Sequence, residues 1–253
     1  MRALVTGAAN GLGLALTENL LEAGHEVVAA DIDTAPLDEI VMRSRGECVA
    51  RLADLASENS VKRLLDVLAD ERFDLVVLNA GISATGPFED IPVKAYERLI
   101  AINLKAPITM ACSLMRMATI EPKGKIVFIS SLSHATGYPG AAVYAATKSG
   151  IALYAKGVRK PFAKRGVGVL TVFPGPIRTD HAERHAPEGA RASKRMDPDK
   201  LARLILKAAR GRAHELYPGT AASMAKTFSN LTPNLATRAM RKAIFDKLDK
   251  TTY

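Results

Sequence analysis

The sequence predicts a doubly wound α/β fold: a parallel, Rossmann-type sheet of about seven strands with helices on both faces. Three observations point there. Short apolar runs alternate with longer amphipathic stretches along most of the chain. The runs are continuously apolar, as strands buried on both faces must be. A glycine-rich turn, Thr6-Gly7-Ala8-Ala9-Asn10-Gly11-Leu12-Gly13, joins the first run to the first helical stretch.

In chain order the strand runs are Ala3-Leu4-Val5, Glu26-Val27-Val28-Ala29-Ala30, Cys48-Val49-Ala50, Leu75-Val76-Val77-Leu78, Lys125-Ile126-Val127-Phe128-Ile129 and Gly168-Val169-Leu170-Thr171-Val172, with a weaker seventh at His214-Glu215-Leu216-Tyr217. Helical periodicity marks residues 12–23, 60–69 and 142–164 between them. Right-handed crossovers then wind the helices onto both faces.

Two stretches break the alternation. Residues 180–198 are polar, and a loop of that length is usually functional or mobile. Residues 219–253 read as a helical C-terminal extension, two amphipathic helices split at Thr232-Pro233, with Lys226, Arg238, Arg241, Lys242, Lys247 and Lys250 on polar positions. The extension has two readings. It packs to complete the core or a subunit contact, or it forms a lid over a substrate cleft or a basic surface for anionic lipid. Modest apolar positions and the absence of Trp favour packing.

Composition narrows the function classes. Apolar residues make up 48% and charged residues 24% of the 253-residue chain, as in an ordinary soluble protein. Cys48 and Cys112 lack metal-ligand spacing, so a disulfide framework or zinc site is not expected. The start lacks a signal-cleavage pattern and no run of about 18 apolar residues occurs, which makes the cytoplasm the expected location. The net charge of +9 is scattered and aromatics are only 5%, so nucleic acid is not the expected partner.

The glycine turn suits a dinucleotide. Gly7, Gly11 and Gly13 let backbone approach a pyrophosphate, and the helix start at Gly11-Leu12 offers free N–H groups and a positive dipole end. Asp31 ends the second strand about 20 residues later, where a carboxylate accepts hydrogen bonds from ribose hydroxyls and repels a 2′-phosphate. Ile32 follows it, and Asn10 stands where a basic residue would meet that phosphate. These features favour NAD over NADP. Asp54-Leu55 after the third strand could border the adenine. Asn79-Ala80-Gly81 ends the fourth strand with small side chains, although Asn79 also suits a turn.

Tyr144 and Lys148 lie four apart on a helix and share one face. A free phenol, with a pKa of about 10, is a poor base at neutrality. A cation about 4 Å away at an effective dielectric near 20 favours the phenolate by roughly 4 kcal/mol before desolvation. The pair is therefore expected to lower the Tyr144 pKa. Ser131 at the end of the fifth strand stands 13 residues before Tyr144. Asn103 lies in the helix between the fourth and fifth strands, and Pro174-Gly175-Pro176-Ile177-Arg178-Thr179 follows the sixth.

From Met1 to about Pro218 these motifs, in this order, resemble the short-chain dehydrogenase/reductase family. The resemblance implies one dinucleotide-binding catalytic domain over residues 1–253, with a core at 1–218 and the extension at 219–253. It implies hydride transfer between a nicotinamide and a secondary alcohol or ketone. Tyr144 is implied as general acid/base, and Lys148 as the residue that lowers its pKa and holds the nicotinamide ribose. Ser131 is implied to bond the substrate oxygen, Asn103 to maintain a water-linked proton path to Lys148, and Ile177 and Thr179, after Pro174, to hold the carboxamide. Relatives usually assemble as dimers or tetramers through the helices carrying Asn103 and Tyr144; the extension favours a homodimer here. An NADP-dependent reductase and a dinucleotide sensor without turnover are the rival readings. His134, Tyr138, His181 and His185 are expected at the substrate entrance, without metal spacing.

Overall fold

In the computed structural model, β1 (Arg2–Thr6), β2 (Glu26–Asp31), β3 (Cys48–Leu52), β4 (Phe73–Leu78), β5 (Ile120–Ile129), β6 (Gly168–Val172) and β7 (Glu215–Leu216) form one sheet ordered β3-β2-β1-β4-β5-β6-β7. Every pairing is parallel. The structure describes residues 1–135, 138–185, 195–219, 237–238, 241 and 251–253. The expected helices of residues 219–253 thus lie largely outside the described residues; 237–238 and 241 are helical.

The continuous apolar runs are explained by burial on both faces. Leu4, Val76, Leu78, Ile126 and Phe128 point to one side, against α3 (Glu58–Leu68), α5 (Ala106–Arg116) and α6 (Ala142–Ala163). Their neighbours Val5, Leu75, Val77 and Val127 point to the other, against α1 (Gly11–Glu22), α2 (Asp38–Arg43) and α8 (Pro198–Arg210). Truncating a buried leucine in either layer, such as Leu16 or Leu114, should cost about 2–5 kcal/mol.

Local chemistry sets the helix starts. Ser57 Oγ accepts the Ser60 N–H at the start of α3. Asp197 does the same for Asp199 and Lys200 at α8, where Pro198 occupies the first turn and needs no N–H partner. Strand β5 begins five residues earlier than the apolar run suggested. Ile120 pairs with Phe73, and the register then shifts before Leu75 pairs with Lys125.

The helix expected between β4 and β5 is interrupted. α4 (Val93–Ile100) passes into a π-helical turn (Ala101–Lys105) and then into α5. The Ala106 N–H bonds to the Ala101 carbonyl, five residues back. Pro107 supplies the cause: it has no N–H, and in a regular helix its ring would meet the carbonyl of Asn103, four residues earlier. Residues Val93–Arg116 are long and apolar enough to cross a membrane by length and composition, but half of that apolar window is buried inside the fold, as in a core helix. α7 (Asp180–Arg184) is short and follows β6.

The strand order reverses between β1 and β4, so the crevice for a ligand opens beyond their carboxyl ends. The glycine turn after β1 and Asn79 after β4 flank it.

Candidate active site

The glycine turn is held shut by its neighbours. The Asn79 side-chain amide donates to the carbonyls of Thr6 (3.0 Å) and Gly7 (3.1 Å), and Thr6 Oγ1 accepts the N–H groups of Asn79 and Ala80. Asn79 thus shapes the turn from behind. Gly13 tolerates nothing larger: a Cβ there would lie 1.8 Å from the Gly7 carbonyl oxygen. Gly7 and Gly11 have positive φ, and a Cβ on Gly11 would meet the Thr179 methyl at 2.9 Å. Asn10 is exposed and caps α1 with backbone only, so the first-turn N–H groups near Leu12 remain available to an anion.

Asp31 stands at the tip of β2. One carboxylate oxygen accepts the Ala9 N–H (2.9 Å) and the other the Asp33 N–H (3.2 Å). Two of its roughly four acceptor positions are therefore committed to shape, leaving the others for hydroxyl groups. Ile32 beside it is half exposed. Asp54 turns back on its own loop to accept the Ala56 N–H (2.9 Å), while Leu55 packs toward the core.

At the end of β5, the Ser131 hydroxyl lies beside the Tyr144 phenol and favours its ionised form. Ser131 Oγ accepts the Ser133 N–H (3.1 Å). Lys148, 4% exposed, sits one turn along α6 with its ammonium 5.7 Å from the centroid of the Tyr144 ring. That ammonium donates to the Ile129 carbonyl at 3.0 Å.

The expected lowering of the Tyr144 pKa is not met in this structure. Burial pushes the phenol up to about 12; the nearby Ser131 hydroxyl pulls the other way, and the Tyr138 phenol adds to the rise. Burial likewise lowers Lys148 to about 8. The ammonium faces a carbonyl and the face of the ring, so desolvation of both groups prevails.

Asn103 sits in the π turn, buried. Its Oδ1 accepts the Ile82 N–H (2.9 Å), and its Nδ2 donates to the Ile82 carbonyl (2.8 Å) and to Thr147 Oγ1 (3.3 Å). It clamps the strand end that carries Gly81, where a Cβ would lie 3.2 Å from the Lys148 ammonium and 3.3 Å from Asn103 Oδ1. Gly81, Asn103 and Lys148 thus crowd one spot. Beyond β6, the Pro174 carbonyl accepts the Leu132 N–H (3.0 Å), Ile177 bridges to Met196, and Thr179 caps α7 through the Ala182 N–H (3.1 Å).

The histidines fall in different places. His134 packs at a tilt against Phe173, with ring centres 4.4 Å apart, and Phe173 stacks on Tyr217. His185 Nδ1 lies 2.7 Å from Thr252 Oγ1 and 3.3 Å from Thr85 Oγ1. The side chain of His181 lies outside the described residues. Among the described residues no group of His, Cys, Asp and Glu is placed to hold a metal. The sequence reading missed Thr85 and Thr252, which carry no local motif and meet across 167 positions of chain.

The family pattern described as short chain dehydrogenase matches residues 1–189. The 3-oxoacyl-[acyl-carrier-protein] reductase of Synechocystis sp. is 34% identical over 188 residues, covering 72% of this chain and 76% of that protein. The D-beta-hydroxybutyrate dehydrogenase of Rhizobium meliloti is 30% identical over 197 residues, covering 75% and 76%. A short-chain dehydrogenase from Sphingobium yanoikuyae, solved in complex with NADPH, superposes with a TM-score of 0.78 at 25% identity, covering 92% and 94% of the two chains.

Proposed function

Because this chain belongs to the short-chain dehydrogenase family, we propose that it transfers a hydride between the nicotinamide of NAD and the carbon of a secondary alcohol or ketone, with Tyr144 as acid/base. The observation that carries the reading is the convergence of the Ser131 hydroxyl and the Tyr144 phenol beside a buried ammonium, Lys148, which lies 5.7 Å from the centre of the Tyr144 ring.

The residues present fit a dinucleotide. The open first turn of α1 behind Gly7, Asn10, Gly11, Leu12 and Gly13 suits the pyrophosphate. Asp31 retains acceptor positions for ribose hydroxyls, and Ala80 and Gly81 offer backbone without bulk. Pro174, Ile177 and Thr179 fill the nicotinamide end in this reading. When bound, the dinucleotide supplies or takes up the hydride.

Tyr144 handles the proton. In reduction its neutral phenol donates to the carbonyl oxygen as the carbon gains hydride; in oxidation the same oxygen takes the alcohol proton back. Ser131 donates to the substrate oxygen as charge gathers there. Lys148, lowered to about 8, holds an exchangeable proton near neutrality and steadies the phenolate that forms. Asn103 holds Ile82 in place, and Gly81 before it, lacking a side chain, leaves room for the Lys148 ammonium.

NAD is preferred in this reading because a carboxylate at Asp31 opposes a 2′-phosphate and neither Asn10 nor Ile32 offers a positive charge. The NADPH complex of the Sphingobium protein favours a second reading, NADP in the same site. The deciding experiment is Tyr144→Phe. Turnover with NADH and a ketone panel should fall about 10³-fold or more while NADH binding, followed by fluorescence, stays within about twofold. Near-normal turnover in that variant would falsify the role. A wild-type protein that binds NADH yet turns over no member of the panel would instead fit the sensor reading.

A further inference from the structure

Thr252 pairs with Thr85 as an antiparallel bridge, each donating its N–H to the other's carbonyl at 2.9 Å. Their hydroxyls lie 2.7 Å apart, and Thr252 Oγ1 lies 2.7 Å from His185 Nδ1. Thr251 presses on the next residue of the loop: a Cβ on Gly86 would lie 2.7 Å from Thr251 Oγ1 and 3.1 Å from its Cα.

The contacts join three loops. Thr85 and Gly86 lie between β4 and α4. His185 follows α7, after β6. Gly86 N–H donates to the Gly140 carbonyl (2.9 Å), in the stretch that leads from β5 into the helix carrying Tyr144. Ala84, immediately before Thr85, is buried in the small cluster against which Val143 and Tyr144 pack. All three loops leave the carboxyl ends of their strands, the edge where ligands of this sheet bind. A pairing made by chain far from these loops in sequence therefore fastens together the rim around the phenol.

We infer that Thr251, packed on Gly86, and Thr252, bonded to Thr85 and His185, form a fixed wall of the substrate cleft that restricts it to compact ketones and secondary alcohols. The inference rests on Tyr144 being the reacting centre. These are positioning residues. They act by holding the loop between β4 and α4, through Ala84, at one distance from the phenol. A bulky substituent on that side of the carbonyl must displace a segment held by two backbone and two side-chain hydrogen bonds.

The test compares the full chain, a deletion of residues 251–253, Thr252→Val and Thr252→Ser on methyl ketones of increasing chain length, with NADH. Deletion removes the pairing by construction, and hydrogen exchange at the Thr85 amide, which loses its acceptor, reports the release without reference to turnover. Relative to wild type, the deletion and Thr252→Val should shift selectivity toward the longer ketones about tenfold, mainly through KM, with kcat and NADH affinity within about twofold. Thr252→Ser, which keeps the hydroxyl, should restore the wild-type profile. An unchanged profile in the deletion overturns the inference. So does a loss shared by kcat, NADH affinity and melting temperature, since that marks a merely structural segment. Failure of the Tyr144 reading would show separately, as turnover that survives Tyr144→Phe.

Discussion

The ammonium of Lys148 donates to the carbonyl of Ile129, and two residues beyond Ile129 stands Ser131, whose hydroxyl lies beside the Tyr144 phenol. The link is returned: Ser130 Oγ donates to the Lys148 carbonyl at 2.8 Å. Strand β5 and helix α6 are thus stitched together in both directions at the level of the phenol. The spacing of Ser131, Tyr144 and Lys148 along the chain becomes a fixed geometry through this pair of bonds.

Burial of Lys148 has a consequence for stability against pH. Its pKa falls from an ordinary 10.5 to about 8, so between those values the unfolded chain holds more protons than the folded one. Stability therefore rises with pH across that window, and the Lys148 contribution between pH 8 and 10 amounts to about 2 kcal/mol. Tyr144 acts oppositely but higher: its pKa is raised from 10.0 to about 12, so its contribution is present below pH 10 and lost as pH climbs toward 12. Urea unfolding of wild type and Lys148→Met at pH 8 and pH 10 should differ by that increment, with the variant lacking it. Parallel pH dependence in the two proteins would refute the buried-charge account.

Asn103 carries both backbone groups of Ile82. Asn103→Leu leaves a part-buried donor and acceptor unpaired and should cost about 1–3 kcal/mol of stability. Asn103→Asp should not rescue it, because the carboxylate replaces the donor to the Ile82 carbonyl with an acceptor. Equilibrium unfolding by urea reads both; a change under about 0.5 kcal/mol for Asn103→Leu would remove the clamp from the argument.

The Thr179 methyl blocks any side chain at Gly11. Gly11→Ala should weaken NADH binding about tenfold or more, because the turn must open and its positive φ is strained for alanine. Thr179→Ser removes the methyl and should recover part of that loss in the double variant, leaving the backbone strain. Strictly additive effects in the four-protein cycle, measured by NADH fluorescence, would show that the two residues do not meet.

Asp31→Ser should lower the preference for NAD over NADP by about tenfold or more if Asp31 borders the adenosine ribose as proposed, since it then removes a negative charge facing a 2′-phosphate. It should also loosen the turn through the lost Ala9 contact. Titration of both dinucleotides against variant and wild type decides it, and an unchanged ratio of affinities would dismiss Asp31 as the discriminator.

The sequence by itself determined the alternation of strands and helices, the glycine turn and the order in which Asp31, Asn79, Asn103, Ser131, Tyr144, Lys148 and Thr179 occur. These are local properties: apolar runs mark doubly buried strands, glycine marks close backbone, and helical spacing puts Tyr144 and Lys148 on one face. Even the π turn at Asn103 had a local sign in Pro107. Tertiary structure alone decided the rest. That Lys148 faces the Ile129 carbonyl, and that burial raises the Tyr144 pKa instead of lowering it, depends on how much water the packed fold excludes. That Thr252 lies on Thr85, and Thr179 over Gly11, depends on segments far apart in the chain meeting at one sheet edge. Charge spacing can be read along a chain; desolvation and long-range contact exist only once the chain has folded.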